Sequence, residues 1–234
     1  MFFGWFYYDW TILLLLPAMA FAIWAQFKVQ STFQKYSEVA SHKGINAARA
    51  ARQMLDAQGL HDVEIVLHPG RDLSDHYDPR KKTLFLSNAV YNSSSTAAIG
   101  VACHEAGHAI QHAHGYGPLK LRMNIIPVCQ IGSAAAMPLF LVGLLMGSLG
   151  YVFMVAGIAC FSLATLFQLI TLPVEFNASA RALEGIRDCG ILYDDEIKGA
   201  RKVLSAAAMT YVAALASSLL SLLRLIIIAN NRRR

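Results

Sequence analysis

From Ile125 to Leu172 the chain carries no Asp, Glu, Lys, Arg or His, a run of 48 residues. As one helix it would extend roughly 72 Å at about 1.5 Å per residue, more than twice the roughly 30 Å hydrocarbon core of a bilayer. The run is therefore expected to fold back as two helices, with Gly147-Ser148-Leu149-Gly150 as the natural turn. Two further stretches are long enough to cross. Trp10 to Phe27 is uncharged between Asp9 and Lys28, with Trp5, Tyr7, Tyr8 and Trp10 where an interfacial aromatic belt would sit. Val203 to Leu223 is uncharged between Lys202 and Arg224. Only 15% of the residues are charged, against about 25% in a soluble domain. A plain soluble enzyme, a disordered chain and a collagenous one are all excluded. The first stretch does not read as a cleavable signal, having no basic n-region and no small-residue cleavage site before the polar sequence.

The charges lie in two blocks. Residues 28–124 hold 19 of the 35 charges and all eight histidines, and residues 173–202 hold 11. A helical hairpin between the blocks returns the chain to the side it left, so both are expected to face one compartment and to share a site. The expected organisation is a transmembrane helix at 1–27, an α+β domain at 28–124, a transmembrane hairpin at 125–172, a second polar segment at 173–202, and a last transmembrane helix with a basic tail at 203–234. Lys28, Lys35, Lys43, Lys120, Arg122, Arg181, Arg187, Arg201 and Lys202 flank the blocks, while the hairpin turn and the N-terminus carry no Lys or Arg. The positive-inside rule then puts the blocks in the cytoplasm. Arg224 and Arg232 to Arg234 oppose that orientation, since four spans would leave them outside. The net charge of +5 has no basic-aromatic pattern of a nucleic-acid binder; membrane lipids are the expected partner of the basic flanks. The four cysteines, 103, 129, 160 and 189, form no C-x-x-C and read as reduced packing residues.

Within the first block, Ile45 to Gln58 is Ala-rich and stops at Gly59, which predicts a helix. Val63 to Leu67 alternates and predicts a strand ending at His68-Pro69-Gly70; Asp75 to Pro79 predicts a turn; Thr83 to Ser87 predicts a second strand. Ser93 to Thr96 offer N-caps for a helix from about Ala97 to His114, closed by Gly115.

That last helix contains His104-Glu105-Ala106-Gly107-His108. Positions i and i+4 share one helix face, so two imidazoles can hold one zinc ion, and Glu105 beside them can take a proton from metal-bound water. The alternative is a helix with two surface histidines. A catalytic zinc has three protein ligands and an open position, so a third is needed. His112 lies about 12 Å along the helix from His104, too far to share an ion. His114 occupies the third-ligand position of the pattern H-E-x-x-H-x-x-G-x-x-H, but Gln111 stands where that pattern needs its helix-breaking Gly. Among the downstream glutamates, 175, 184 and 196, Glu175 is the best placed: it follows Pro173, which suits the first turn of a new helix, at the point where the hairpin returns. An acidic residue at a helix start is the other reading of Glu175.

A membrane helix, a polar block ending in His-Glu-Ala-Gly-His, two hydrophobic helices and then Pro173-Val174-Glu175-Phe176 resembles the gluzincin-type membrane metallopeptidases, among them HtpX-like proteases and the zinc prenyl-protein peptidases. Over nearly the whole chain, including Tyr77-Asp78-Pro79 and His112-Ala113-His114-Gly115-Tyr116, it is similar in particular to the YugP-like family of neutral zinc metallopeptidases of bacterial membranes. The resemblance implies a small gluzincin-type domain, one Zn2+ per chain held by His104, His108 and Glu175, and Glu105 as general base. In the HtpX pattern an Asp four residues after the Glu orients a ligand histidine; here Ser179 takes that place, and Ser179 and His112 are the candidates for hydrogen bonds behind the ligands.

The expected activity is zinc-dependent cleavage of peptide bonds in membrane or unfolded proteins at the membrane surface, on the cytoplasmic side of a bacterial inner membrane. The expected partners are lipids and a protein or peptide substrate, with no nucleic acid. Thr83, Leu84, Phe85, Leu86 and Ser87 are the candidate edge strand to which a substrate adds. Arg181, Arg201 and Tyr211 are the candidates for a second oxyanion donor. Two other functions fit parts of the pattern: a site-2-type intramembrane protease, disfavoured because Ala97 to Cys103 is too short to span, and a non-catalytic scaffold or metal-binding subunit. The sequence leaves oligomeric state, regulatory partner and natural substrate open.

Overall fold

The computed structural model describes residues 10–68, 74–147 and 149–233. Expectations that fall on Trp5, Tyr7, Tyr8, Pro69, Gly70, Ser148 and Arg234 lie outside the described residues.

Helices dominate. A 3-10 turn over Trp10–Leu14 leads into α1, Leu15–Ser37. There follow α2 (Ala47–Ala57), β1 (Glu64–His68), β2 (His76–Asp78), β3 (Thr83–Ser87), the short α3 (Asn88–Tyr91), α4 (Thr96–Ala113), α5 (Gly117–Leu145), α6 (Gly150–Asp188) and α7 (Asp194–Arg233). Four of these helical segments are long and apolar enough to cross a membrane: Trp10–Ser37, Gly117–Leu145, Gly150–Asp188 and Asp194–Arg232. Each runs beyond the uncharged stretch that announces it. A charged residue ends a hydrophobic window, but it does not end a helix, because Lys, Arg and Glu are good helix formers.

The described residues divide into two compact units. One comprises 10–25, 121–147, 149–172 and 210–233. Within it, α5 and α6 approach through small residues: a Cβ on Gly157 would stand 2.8 Å from the Ala136 carbonyl oxygen, and one on Gly143 2.6 Å from that of Gly150. Contacts this close between apolar helices are the usual basis of association where no water is available to drive it. Phe140, Met154, Leu225 and Ala229 form its buried cluster. Thr165 and Ser218 hydroxyls meet at 2.7 Å, and Arg224 donates from Nε to Thr11 Oγ1.

The other unit, with described residues 26–68, 74–120 and 173–209, contains the sheet, α2 and α4. Asn46 caps α2 by accepting from the Arg49 N–H at 2.8 Å, and Gly59 ends it in the left-handed region at φ 71°. Its Ala47, Ala50, Ala51, Met54 and Leu55 join the Ala-rich face of α4 in one core. Ser95 caps α4 by accepting from the Ala98 N–H, and Gly115 closes it at φ 64°.

The three strands form a sheet in the order β1-β3-β2, with β1 parallel and β2 antiparallel to β3. Two expectations change here. Residues 76–78, read as part of a turn, pair as β2; the turn lies just after them, where Asp78 accepts from the Arg80 N–H. Thr83 to Ser87, read as the edge, is the central strand, paired on both sides. Leu84 and Leu86 are fully buried, and nearly unbroken burial along a strand is the mark of one covered on both faces. Pro173 starts no new helix. It lies inside α6, which continues to Asp188; a proline within an apolar spanning helix is tolerated because neighbouring groups take up the freed carbonyl.

Candidate metal centre

On α4, one helical turn brings the His104 and His108 rings to 4.8 Å between centroids, nearly perpendicular. Glu175 comes to them from α6. Its Oε2 lies 3.3 Å from His104 Nε2 and 3.5 Å from His108 Nε2, and its side chain is only 3% exposed. The three ligand-type atoms lie within 4.8 Å of one another. Such closeness between residues 67 or more positions apart in the chain has a local cause in Gly107. A Cβ there would fall 2.5 Å from the Ala178 carbonyl oxygen, so α4 and α6 meet backbone to backbone between the ligands.

Each imidazole is held from behind. His104 Nδ1 is 3.1 Å from Ser179 Oγ, and His108 Nδ1 is 3.0 Å from Gln111 Oε1. With both Nδ1 atoms engaged, both Nε2 atoms converge on the carboxylate. Two imidazole nitrogens and one carboxylate oxygen suit zinc, and three protein donors leave a fourth position for chemistry. The residues fit the metal that the sequence pattern implies.

Glu105 adjoins this group without belonging to it. Its Oε2 accepts from the Tyr77 N–H at 3.1 Å. Burial pushes its carboxyl above the ordinary range, while the His104 and His108 charges pull the other way. Burial also works against a proton on His108, but Glu175 and Glu105 outweigh it and hold that ring above its usual value.

The remaining histidines of α4 lie outside the ligand group. His112 Nδ1 is 3.0 Å from the Tyr77 hydroxyl, a phenol that burial pushes up to about 12. His114 caps α4, with Nδ1 3.3 Å from an Arg181 amino group. Of the three oxyanion candidates, Arg181 is tied to Asn177 on its own helix, Arg201 is exposed on α7, and Tyr211 belongs to the other unit. The strand expected to receive substrate, Thr83 to Ser87, is paired with β1 along its length and with β2 from Thr83 to Phe85. The strand beside Glu105 is β2.

Sequence reasoning missed Gln111, noting it only as the absence of a glycine. It is fully buried and bonds to His108, the Val174 carbonyl and Asn177. The available signal was a lone amide three residues after the second histidine, on the same helix and amid apolar residues. His42, Asp195 and Glu196 form a second convergence. There Glu196 is already occupied, accepting from the Tyr193 and His42 N–H groups at 2.7 Å as the cap of α7.

A family model described as "Putative neutral zinc metallopeptidase" matches residues 11–230. The chain is 50% identical over 222 residues to "Putative membrane protease YugP" of Bacillus subtilis (strain 168), an alignment covering 95% of this chain and 97% of that protein. No solved structure matches.

Proposed function

The chain belongs to the neutral zinc metallopeptidase family, and from that premise we propose that it is a gluzincin-type membrane endopeptidase with one zinc ion held by His104, His108 and Glu175. The observation that carries this reading is Glu175: a carboxylate almost fully buried between two imidazoles whose other nitrogens are already engaged. A buried charge needs partners, and these three side chains together make a ligand set.

Zinc, when bound, acidifies water and polarises the scissile carbonyl. The rest of the reaction belongs to the chain. Glu105, its carboxyl drawn towards the protonated state by burial, takes the proton of the attacking water and passes it to the leaving amine. Its bond to the Tyr77 N–H aims one oxygen and leaves the other for the water. An extended substrate segment lies along β2, the strand next to Glu105, rather than along β3. Substrates are membrane or unfolded proteins. The basic flanks interact with anionic lipid headgroups, and the catalytic side is the cytoplasmic face of a bacterial inner membrane.

The test is a pair of measurements on purified protein. Zinc is expected near one per chain and lost in Glu175→Ala. Cleavage of an unfolded model protein is expected to vanish in Glu105→Gln with zinc retained. Cleavage that survives Glu105→Gln refutes the mechanism.

A further inference from the structure

We infer that Gln111 is the positioning residue of this centre: its buried amide fixes His108 in the Nδ1–H tautomer and ties α4 to the α6 backbone beside Glu175. The inference rests on the metal-site reading above, but its geometry is independent of any ion.

The direction of every hydrogen bond in this network follows from two groups that have no choice. The Val174 main-chain carbonyl can only accept, so the Gln111 atom 2.8 Å from it is the amide nitrogen. The Arg181 Nε can only donate, so the Asn177 atom 2.9 Å from it is the carbonyl oxygen. That same Asn177 oxygen lies 2.9 Å from Gln111 Nε2 and accepts there too. Both amide hydrogens of Gln111 are thereby committed to α6. The opposite end, Oε1, is an acceptor, and it faces His108 Nδ1 at 3.0 Å. A neutral His108 has one proton for two acceptors, Gln111 Oε1 at 3.0 Å from Nδ1 and the Glu175 carboxylate at 3.5 Å from Nε2, and the closer bond places it on Nδ1.

His104 has no such lock. Its Nδ1 faces the Ser179 hydroxyl, which can donate or accept, while its Nε2 lies 3.3 Å from the Glu175 carboxylate, an acceptor. The two imidazoles of one motif are thus prepared differently. Gln111 also spans from one ligand, His108, to the residue preceding another, Glu175. A side chain with 0% exposure and three satisfied bonds is anchored from both ends. Losing it frees the ring and the helix contact together. Supporting bonds of this kind are worth roughly 10–100-fold in metal affinity.

The test uses the full chain in detergent, its histidines labelled with nitrogen-15, in the metal-free state at a pH where the rings are neutral. The wild type is expected to show a protonated Nδ1 and an unprotonated Nε2 at His108. Gln111→Met, unbranched and apolar, is expected to give a mixture of tautomers and a roughly 10–100-fold weaker zinc affinity by chelator competition. Asn177→Ala keeps the Val174 bond and is expected to retain the Nδ1–H form. A wild-type His108 protonated on Nε2 overturns the inference even if Gln111→Met does not fold. So does zinc affinity in a folded Gln111→Met within twofold of wild type. Wild-type protein that binds no zinc refutes the metal-site reading instead, while the tautomer measurement still decides the role of Gln111.

Discussion

Gly107→Ala should disarm the centre while leaving the protein folded. The added Cβ would stand 2.5 Å from the Ala178 carbonyl oxygen, 3.2 Å from its carbonyl carbon and 3.3 Å from its Cα. All three are backbone atoms, so no rotamer change relieves the clash, and α4 and α6 must part by several tenths of an ångström. Overpacking of this kind costs about 1–3 kcal/mol, offset by about 1 kcal/mol from the better helix propensity of Ala. The net loss of stability is then at most about 2 kcal/mol. Metal sites tolerate ligand displacements of only about 0.2 Å, and the displaced contact lies between His108 and Glu175. Zinc affinity should therefore fall at least about tenfold, equivalent to about 1.4 kcal/mol. Gly100→Ala on the same helix is the control: its nearest neighbour would be the Ala200 Cβ at 3.4 Å, an ordinary contact, so it should be neutral or stabilising. Thermal unfolding by circular dichroism and chelator competition for zinc read the two effects separately. Unchanged zinc affinity in Gly107→Ala, or an equal loss in Gly100→Ala, would refute the reasoning.

Three other outcomes are expected. Because the His108 proton is held more tightly than usual by Glu175 and Glu105, zinc affinity should rise with pH through a midpoint above about 6.5. The same shift stabilises the metal-free fold at low pH, fully below about 6.5 and lost as pH rises through the raised value; melting of metal-free protein on a pH series should show the opposite trend to zinc binding. Tyr77→Phe removes the hydroxyl that meets His112 and should cost about 0.5–1.5 kcal/mol in denaturant unfolding, with zinc content unchanged. Leu84→Ala in the central strand, where the side chain is fully buried, should cost about 2–5 kcal/mol. A smaller loss, at the level of an exposed site, would contradict the burial of this strand.

The errors of the sequence reading share one physical origin. The strand at Thr83 to Ser87 is legible in the sequence because a short apolar run bounded by polar residues is a local signal. Its place between β1 and β2 is a pairing choice, and the pattern of one strand does not name its neighbours. Pro173 carried the right warning about a lost N–H, but whether a proline ends a helix depends on what packs around it. Gln111 looked like a mere failure of the glycine pattern, since its partners on α6, Val174 and Asn177, are more than sixty residues away.

The sequence by itself determined the apolar helices, the helix bearing His104, Glu105 and His108, an N-cap within Ser93 to Thr96 and the closing Gly115. Each of these is set within a few residues, by hydropathy over a span or by backbone hydrogen bonds over one turn. It also singled out Glu175, by the need for a third ligand. Only the tertiary structure decided that Glu175 lies against both imidazoles, that Gly107 lets the helices close to that distance, and that β2 rather than β3 stands beside Glu105. These are contacts between segments far apart in the chain, and their geometry comes from packing, which no local pattern encodes.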